Sequence, residues 1–233
     1  MSGHNPEDQK RLSKQSFDFM KEQTQNTLKA WKLEPKHVVL VSGGSTFSDH
    51  TAVTLFLEGL KNGHPFAGIE LYLPALGCPW VTQRGHKNCG RILYELHKTF
   101  SKKCQVDSLD ELCSLREKPG VVWNESDCGF ISRNELVAER SQRLIAFSFG
   151  SSTSKPAARG GTYQTWKACT ARIKKHIPLI PGDAATQQLS LRQMLDKKRP
   201  LENDDAASSS SSSSSSTNTR PSKKPRPDSL PAK

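Results

Sequence analysis

The sequence has no long apolar run. Nowhere do about 18 hydrophobic residues follow one another, so a membrane-spanning helix is not expected. No apolar segment follows Met1, since Met1 to Arg11 is polar and charged, and a secretory leader is not expected either. The six cysteines (Cys78, Cys89, Cys104, Cys113, Cys128 and Cys169) form no Cys-x-x-Cys pair and no regular framework. They read as reduced thiols of an intracellular protein. Apolar residues are also scarce. At 34% hydrophobic and a mean hydropathy of -0.64, the 233 residues are too polar to be packed throughout, so part of the chain is expected to be disordered.

What the chain has in excess is positive charge. The net charge is +11. The ends carry +1 (1–35) and +3 (183–233), which leaves +7 for residues 36–182. The part expected to fold is therefore itself basic, and a phosphate-bearing partner follows as an expectation. Beyond Asn203 the composition shifts to Asp204-Asp205, nine serines (Ser208 to Ser216) and a Pro/Lys-rich end. Such a segment buries too little apolar surface to offset its ordering entropy. Two basic clusters, Lys197-Lys198-Arg199 before Pro200 and Lys223-Lys224 with Arg226 around Pro225, read as nuclear-import signals for an import receptor. The expected location is the nucleus.

Ahead of the tail the hydrophobic period alternates. Pro6 to Leu33 reads as an N-terminal helix packed on the domain, with Asn5 as cap and Pro6 as its first residue. Val38 to Val41 is a short continuous apolar run, as in a buried parallel strand. Helices are expected at 49–61, 87–101, 107–117, 133–140 and 162–175, and strands at 69–73, 121–123, 144–149 and 177–180. Residues 187–198 read as a final helix. Strands alternating with helices call for a parallel sheet covered on both faces. The domain reading is thus an N-terminal helix (1–35), an α/β domain with a Rossmann-like parallel sheet (36–182) and a mostly disordered basic, Ser-rich tail (183–233).

Three segments carry candidate chemistry. Ser42-Gly43-Gly44 directly follows the first strand and precedes a helix, where glycines let a backbone approach a phosphate and the helix N-terminus supplies N–H donors. It is neither a dinucleotide fingerprint nor a Walker loop. Arg159-Gly160-Gly161-Thr162 follows the fourth strand and opens the last helix. In a parallel sheet all strand ends point one way, so both loops face one crevice. Arg133-Asn134, after the third strand, adds a guanidinium fork for phosphate and an amide for ribose or backbone. Cys78, His86, Cys89 and His97 match no zinc spacing, and nothing in the sequence calls for a metal or cofactor. Trp80, Arg84, His86 and Lys87 after the second strand, with Trp166, Arg172, Lys174 and Lys175 on the last helix, keep single-stranded nucleic acid open as a partner.

Together, VVLVSGG, GFISRNELVAERSQRLIAF and GGTYQTW resemble the SLOG group of Rossmann-like domains, over residues 36–182. The group includes the LONELY GUY phosphoribohydrolases and the bacterial DNA-processing protein A domain. The resemblance implies a nucleotide-type small molecule held by Ser42, Gly43 and Gly44, by Arg133 and Asn134, and by Gly160, Gly161 and Thr162; it leaves room for a homodimer. The phosphoribohydrolases carry a glutamate three residues after the threonine-equivalent position, and here that position is Thr165. A hydroxyl cannot stabilise a developing sugar cation as a carboxylate does. Binding without phosphoribohydrolase activity is therefore the expectation. The alternatives are a single-stranded-DNA-associated protein, or a hydrolase using another carboxylate among Asp49, Glu135 and Glu139.

Overall fold

The computed structural model describes residues 10–75, 88–125, 128–150 and 154–179. The chain divides at Arg192, and every described residue belongs to the first unit. The basic clusters at 197–199 and 223–226, the 187–198 helix, and Trp80, Arg84, His86 and Lys87 lie outside the described residues, as do Asn5 and Pro6.

The architecture is mixed α/β. In chain order the elements are α1 (Lys14–Ala30), β1 (Val39–Ser42), α2 (Ser48–Lys61), β2 (Gly68–Leu73), α3 (Cys89–Cys104), α4 (Ser108–Ser114), β3 (Val121–Glu125), α5 (Gly129–Arg140), β4 (Arg143–Phe149), α6 (Gly160–Ala168) and β5 (Ile173–Leu179). A three-stranded parallel sheet has the order β1-β2-β3, and a separate two-stranded parallel sheet pairs β4 with β5. No described helix is long and apolar enough to cross a membrane.

Local chemistry explains several boundaries. The Ser13 hydroxyl accepts the Ser16 N–H and starts α1, so the N-terminal helix is broken at Leu12-Ser13 rather than continuous to Pro6. Lys32, at φ 54°, ends it, with the Leu33 N–H bonded to the Leu28 carbonyl. The Asp107 carboxylate accepts the Asp110 N–H and starts α4. Two expectations need correction. Arg133 and Asn134 do not start a helix after a loop; α5 begins four residues earlier, at Gly129, and both lie inside it. The last helix stops at Ala168, and Arg172 to Lys175 run into and along β5, paired with β4 from Arg143↔Ile173 onward. The Lys174 ammonium donates to the Trp166 and Cys169 carbonyls, which ties it to the end of α6.

Strand alternation sorts the packing into two layers. Leu40 on β1, Ile69 and Leu71 on β2, and partly Val121 and Trp123 on β3 pack under α2 and α4, against Val53, Leu55, Phe56, Leu112 and Leu115. On the second sheet Phe147, Phe149, Ile177 and Leu179 pack with Phe17 and Met20 of α1 and Phe100 of α3. Since α1 also packs on α2 and α3, both sheets share this helix layer. On the other face, Ala138 of α5 meets Leu144, Cys169 and Trp166, and Arg140 of α5 forks onto the Glu70 carboxylate at 2.7 and 2.8 Å. The two sheets thus lie side by side between the same two layers. Phe47, just past β1, belongs to the same cluster as Phe147 and Phe149 at the end of β4. The loops after β1 and β4 consequently leave at one common edge.

Candidate functional site

The loop after β1 is built by internal hydrogen bonds. The Ser42 hydroxyl donates to the Asp49 carbonyl at 2.8 Å and accepts the Gly44 N–H at 3.1 Å. Gly44 sits at φ 60°, and a Cβ there would come within 2.3 Å of Leu73 Cδ2. The space that excludes a side chain at Gly44 is therefore filled by Leu73. Gly43 is different. A Cβ at Gly43 would fall 1.3 Å from Arg133 Nη1, so the guanidinium of α5 lies directly across this backbone. Only glycine permits that approach.

Arg133 is 5% exposed. Its Nη1 donates to Asp49 Oδ2 at 2.9 Å, closing a partly buried ion pair across 84 residues of sequence. Burial disfavours the Asp49 carboxylate, but Arg133 and the Ser45 N–H more than offset it and hold its carboxyl below the usual value. The Arg133 Nε–H is buried and has no partner among the described residues. A buried guanidinium donor left without an acceptor is costly, and such a group marks a place where a further acceptor fits. Asn134, beside it in α5, is also buried.

Behind the loop stands His97 of α3, fully buried. Its Nε2 lies 3.0 Å from the Gly44 carbonyl and its Nδ1 3.0 Å from Ser108 Oγ. A carbonyl only accepts, so the proton sits on Nε2, and Nδ1 accepts from Ser108. Burial, with His50 nearby, pushes the His97 pKa down to about 4, against the opposing pull of the Gly44 carbonyl. His97 is thereby a neutral donor that holds Gly44 in its left-handed conformation. His50 stacks edge-on to His97 and bonds Glu111 Oε2 at 2.8 Å, which also accepts from Thr54. Among the described residues no cluster of three His, Cys, Asp or Glu side chains is placed to hold a metal.

At the second loop, Gly160 has φ 74° and opens α6 after Arg159, whose side chain makes no capping bond. The first-turn N–H groups of Gly161 and Thr162 thus face outward at a helix N-terminus. The Thr165 hydroxyl donates back to the Gly161 carbonyl at 3.1 Å. Of the alternative carboxylates, Glu135 and Glu139 are exposed along α5, and only Asp49 belongs to the first loop. Sequence reasoning found the glycines and Arg133. It missed the Arg133–Asp49 pair and the loop-supporting role of His97, because partners 84 and 53 residues apart leave no periodic or spacing signal.

The chain is 40% identical over 181 residues to "Uncharacterized protein R261" of Acanthamoeba polyphaga mimivirus, a match covering 77% of this chain and 92% of the viral protein. The chain belongs to the family of that viral protein. No family model matches the sequence, and no solved structure matches the chain. The match extends over most of both proteins, so the relationship is one of whole domains rather than of a shared motif.

Proposed function

We propose that this protein is a nuclear, Rossmann-like nucleotide-binding domain of the SLOG type that binds without cleaving the glycosidic bond. One observation carries the reading: the buried Arg133 guanidinium lies on Gly43 with its Nε–H unpartnered, at the end of a parallel strand. The chemistry suited to that donor is an anionic or carbonyl oxygen. The phosphate rests between the Gly43 and Gly44 backbone and the uncapped first turn of α6 at Gly160 to Thr162, both at one edge of the paired sheets. Asp49 keeps Arg133 oriented, and its negative charge favours ligands that also offer hydroxyl donors, as a ribose does. Thr165 supplies no charge for sugar-cation stabilisation, and its hydroxyl is bonded to the helix backbone.

The deciding experiment is calorimetric titration of the full chain with AMP, GMP, CMP and UMP at two salt concentrations, beside an oligothymidylate. Saturable nucleotide binding with a shallow salt dependence, lost in Arg133→Ala, supports the proposal. A steep salt dependence with the oligonucleotide alone identifies a strand-binding protein instead. Release of free base during the titration would move the function to a hydrolase, with Asp49 as the carboxylate to test first.

A further inference from the structure

Between the two sheets lies a cavity of about 560 Å³. Its walls are Val39 and Val41 of β1 on one side and Leu144 and Ile145 of β4 on the other, with Val137 and Arg140 of α5 against it. β1 pairs only with β2, and β4 only with β5. Each therefore turns an unpaired row of backbone N–H and C=O groups toward the other. Val39, on a strand that has β2 beside it and helices on both faces, is nevertheless 47% exposed. Unpaired inner edges are costly to leave open, and the chain has no other strand at this place to cover them.

We infer that β1 and β4 pair with each other in a second, closed state, giving one five-stranded parallel sheet of order β3-β2-β1-β4-β5. The faces already agree: the same two helix layers cover both sheets, and all strands run parallel. The register follows from side-chain parity. Leu40 packs under α2, so Val39 and Val41 point to the α5 layer, as do Leu144 with its α5 neighbour Ala138, and Ala146, two residues on. Pairing Val39 with Leu144 and Val41 with Ala146 matches all four residues of β1 to β4. A shift by one residue would turn every side chain to the wrong layer. Closure draws the loop after β4 toward the loop after β1, and so brings Gly160 toward Gly43. That coupling rests on the proposed nucleotide site; the pairing itself does not.

The test is a disulfide trap in the full chain. Val39→Cys/Leu144→Cys is oxidised with oxidised glutathione with and without AMP, and the 39–144 link is identified by peptide mapping, which separates it from the native cysteines. A disulfide needs Cα atoms within about 7 Å, so only the closed state forms it. The link is expected to form, and Val39→Cys/Ala146→Cys, two residues out of register, to link about tenfold less. Residue-resolved hydrogen exchange on the unmodified chain is the second measurement: the β1 and β4 amides that face each other should be protected as those of β2 are. Absence of the 39–144 link together with unprotected facing amides overturns the closed state. Where the double variant misfolds, the exchange result alone decides. A link whose rate AMP does not change leaves the closed sheet standing and counts against its coupling to the nucleotide site.

Discussion

His97 makes the loop after β1 sensitive to acid, and the size of the effect can be worked out. Its pKa is pushed down from 6.5 to about 4 by burial, so the folded protein holds it neutral while the unfolded chain takes up a proton near 6.5. Between these values the unfolded state binds more protons, and stability rises with pH. The contribution is fully present above pH 6.5 and is lost as pH falls toward 4. The move corresponds to about 3 kcal/mol, a large share of the roughly 5–15 kcal/mol by which ordinary domains are stable. Urea unfolding at half-unit steps from pH 7.5 to 4 measures it. Other groups titrate in part of that range, so the informative quantity is the difference from His97→Gln. Glutamine keeps an N–H for the Gly44 carbonyl and an acceptor for Ser108 but carries no titrating proton. The variant should lose much less stability between pH 6.5 and 4 than the parent, the two curves converging at the acid end. Parallel curves would refute the assignment of His97 as a buried neutral donor.

Other outcomes follow from the same contacts. Gly43→Ala should displace Arg133 and lower stability by about 3 kcal/mol, the scale of a broken buried pair; Gly43→Ala/Arg133→Ala, by chemical denaturation, should cost clearly less than the sum of the singles. Asp49→Asn should be destabilised at neutral pH, where the parent's depressed carboxyl is charged, and should match the parent once the pH is low enough to protonate Asp49, below the ordinary carboxylate range; a deficit independent of pH would point to packing instead. Thr165→Glu should leave nucleotide affinity within a few-fold and add at most a trace of base release from AMP, read by chromatography; robust release by the parent would overturn the binding-only reading.

The legible part of this fold is the part written in local pattern. Val39-Leu40-Val41 and Leu144 to Phe149 are apolar because they are flanked by helices on two faces, and continuous apolar runs report that directly. The glycines after β1 were equally visible, since a sharp turn between strand and helix needs them. What local pattern does not carry is the reason a particular glycine is there. Gly43 and Gly44 are adjacent and identical in sequence, yet one makes room for the Arg133 guanidinium and the other for Leu73. A substitution at Gly44 therefore tests the packing of β2 as much as any ligand, and Gly44→Val, which looks like a clean binding-site probe from sequence, is strained at φ 60° before a ligand is considered. The end of α6 was misread for a related reason. Ile173-Lys174-Lys175 continues a helical composition, but its pairing with Arg143 to Ile145 gives its backbone bonds to β4, and the Lys174 ammonium is drawn onto the carbonyls that end the helix. Tertiary pairing outweighs propensity there because a strand edge needs a partner, and that same need, still unmet between β1 and β4, underlies the closed state inferred above.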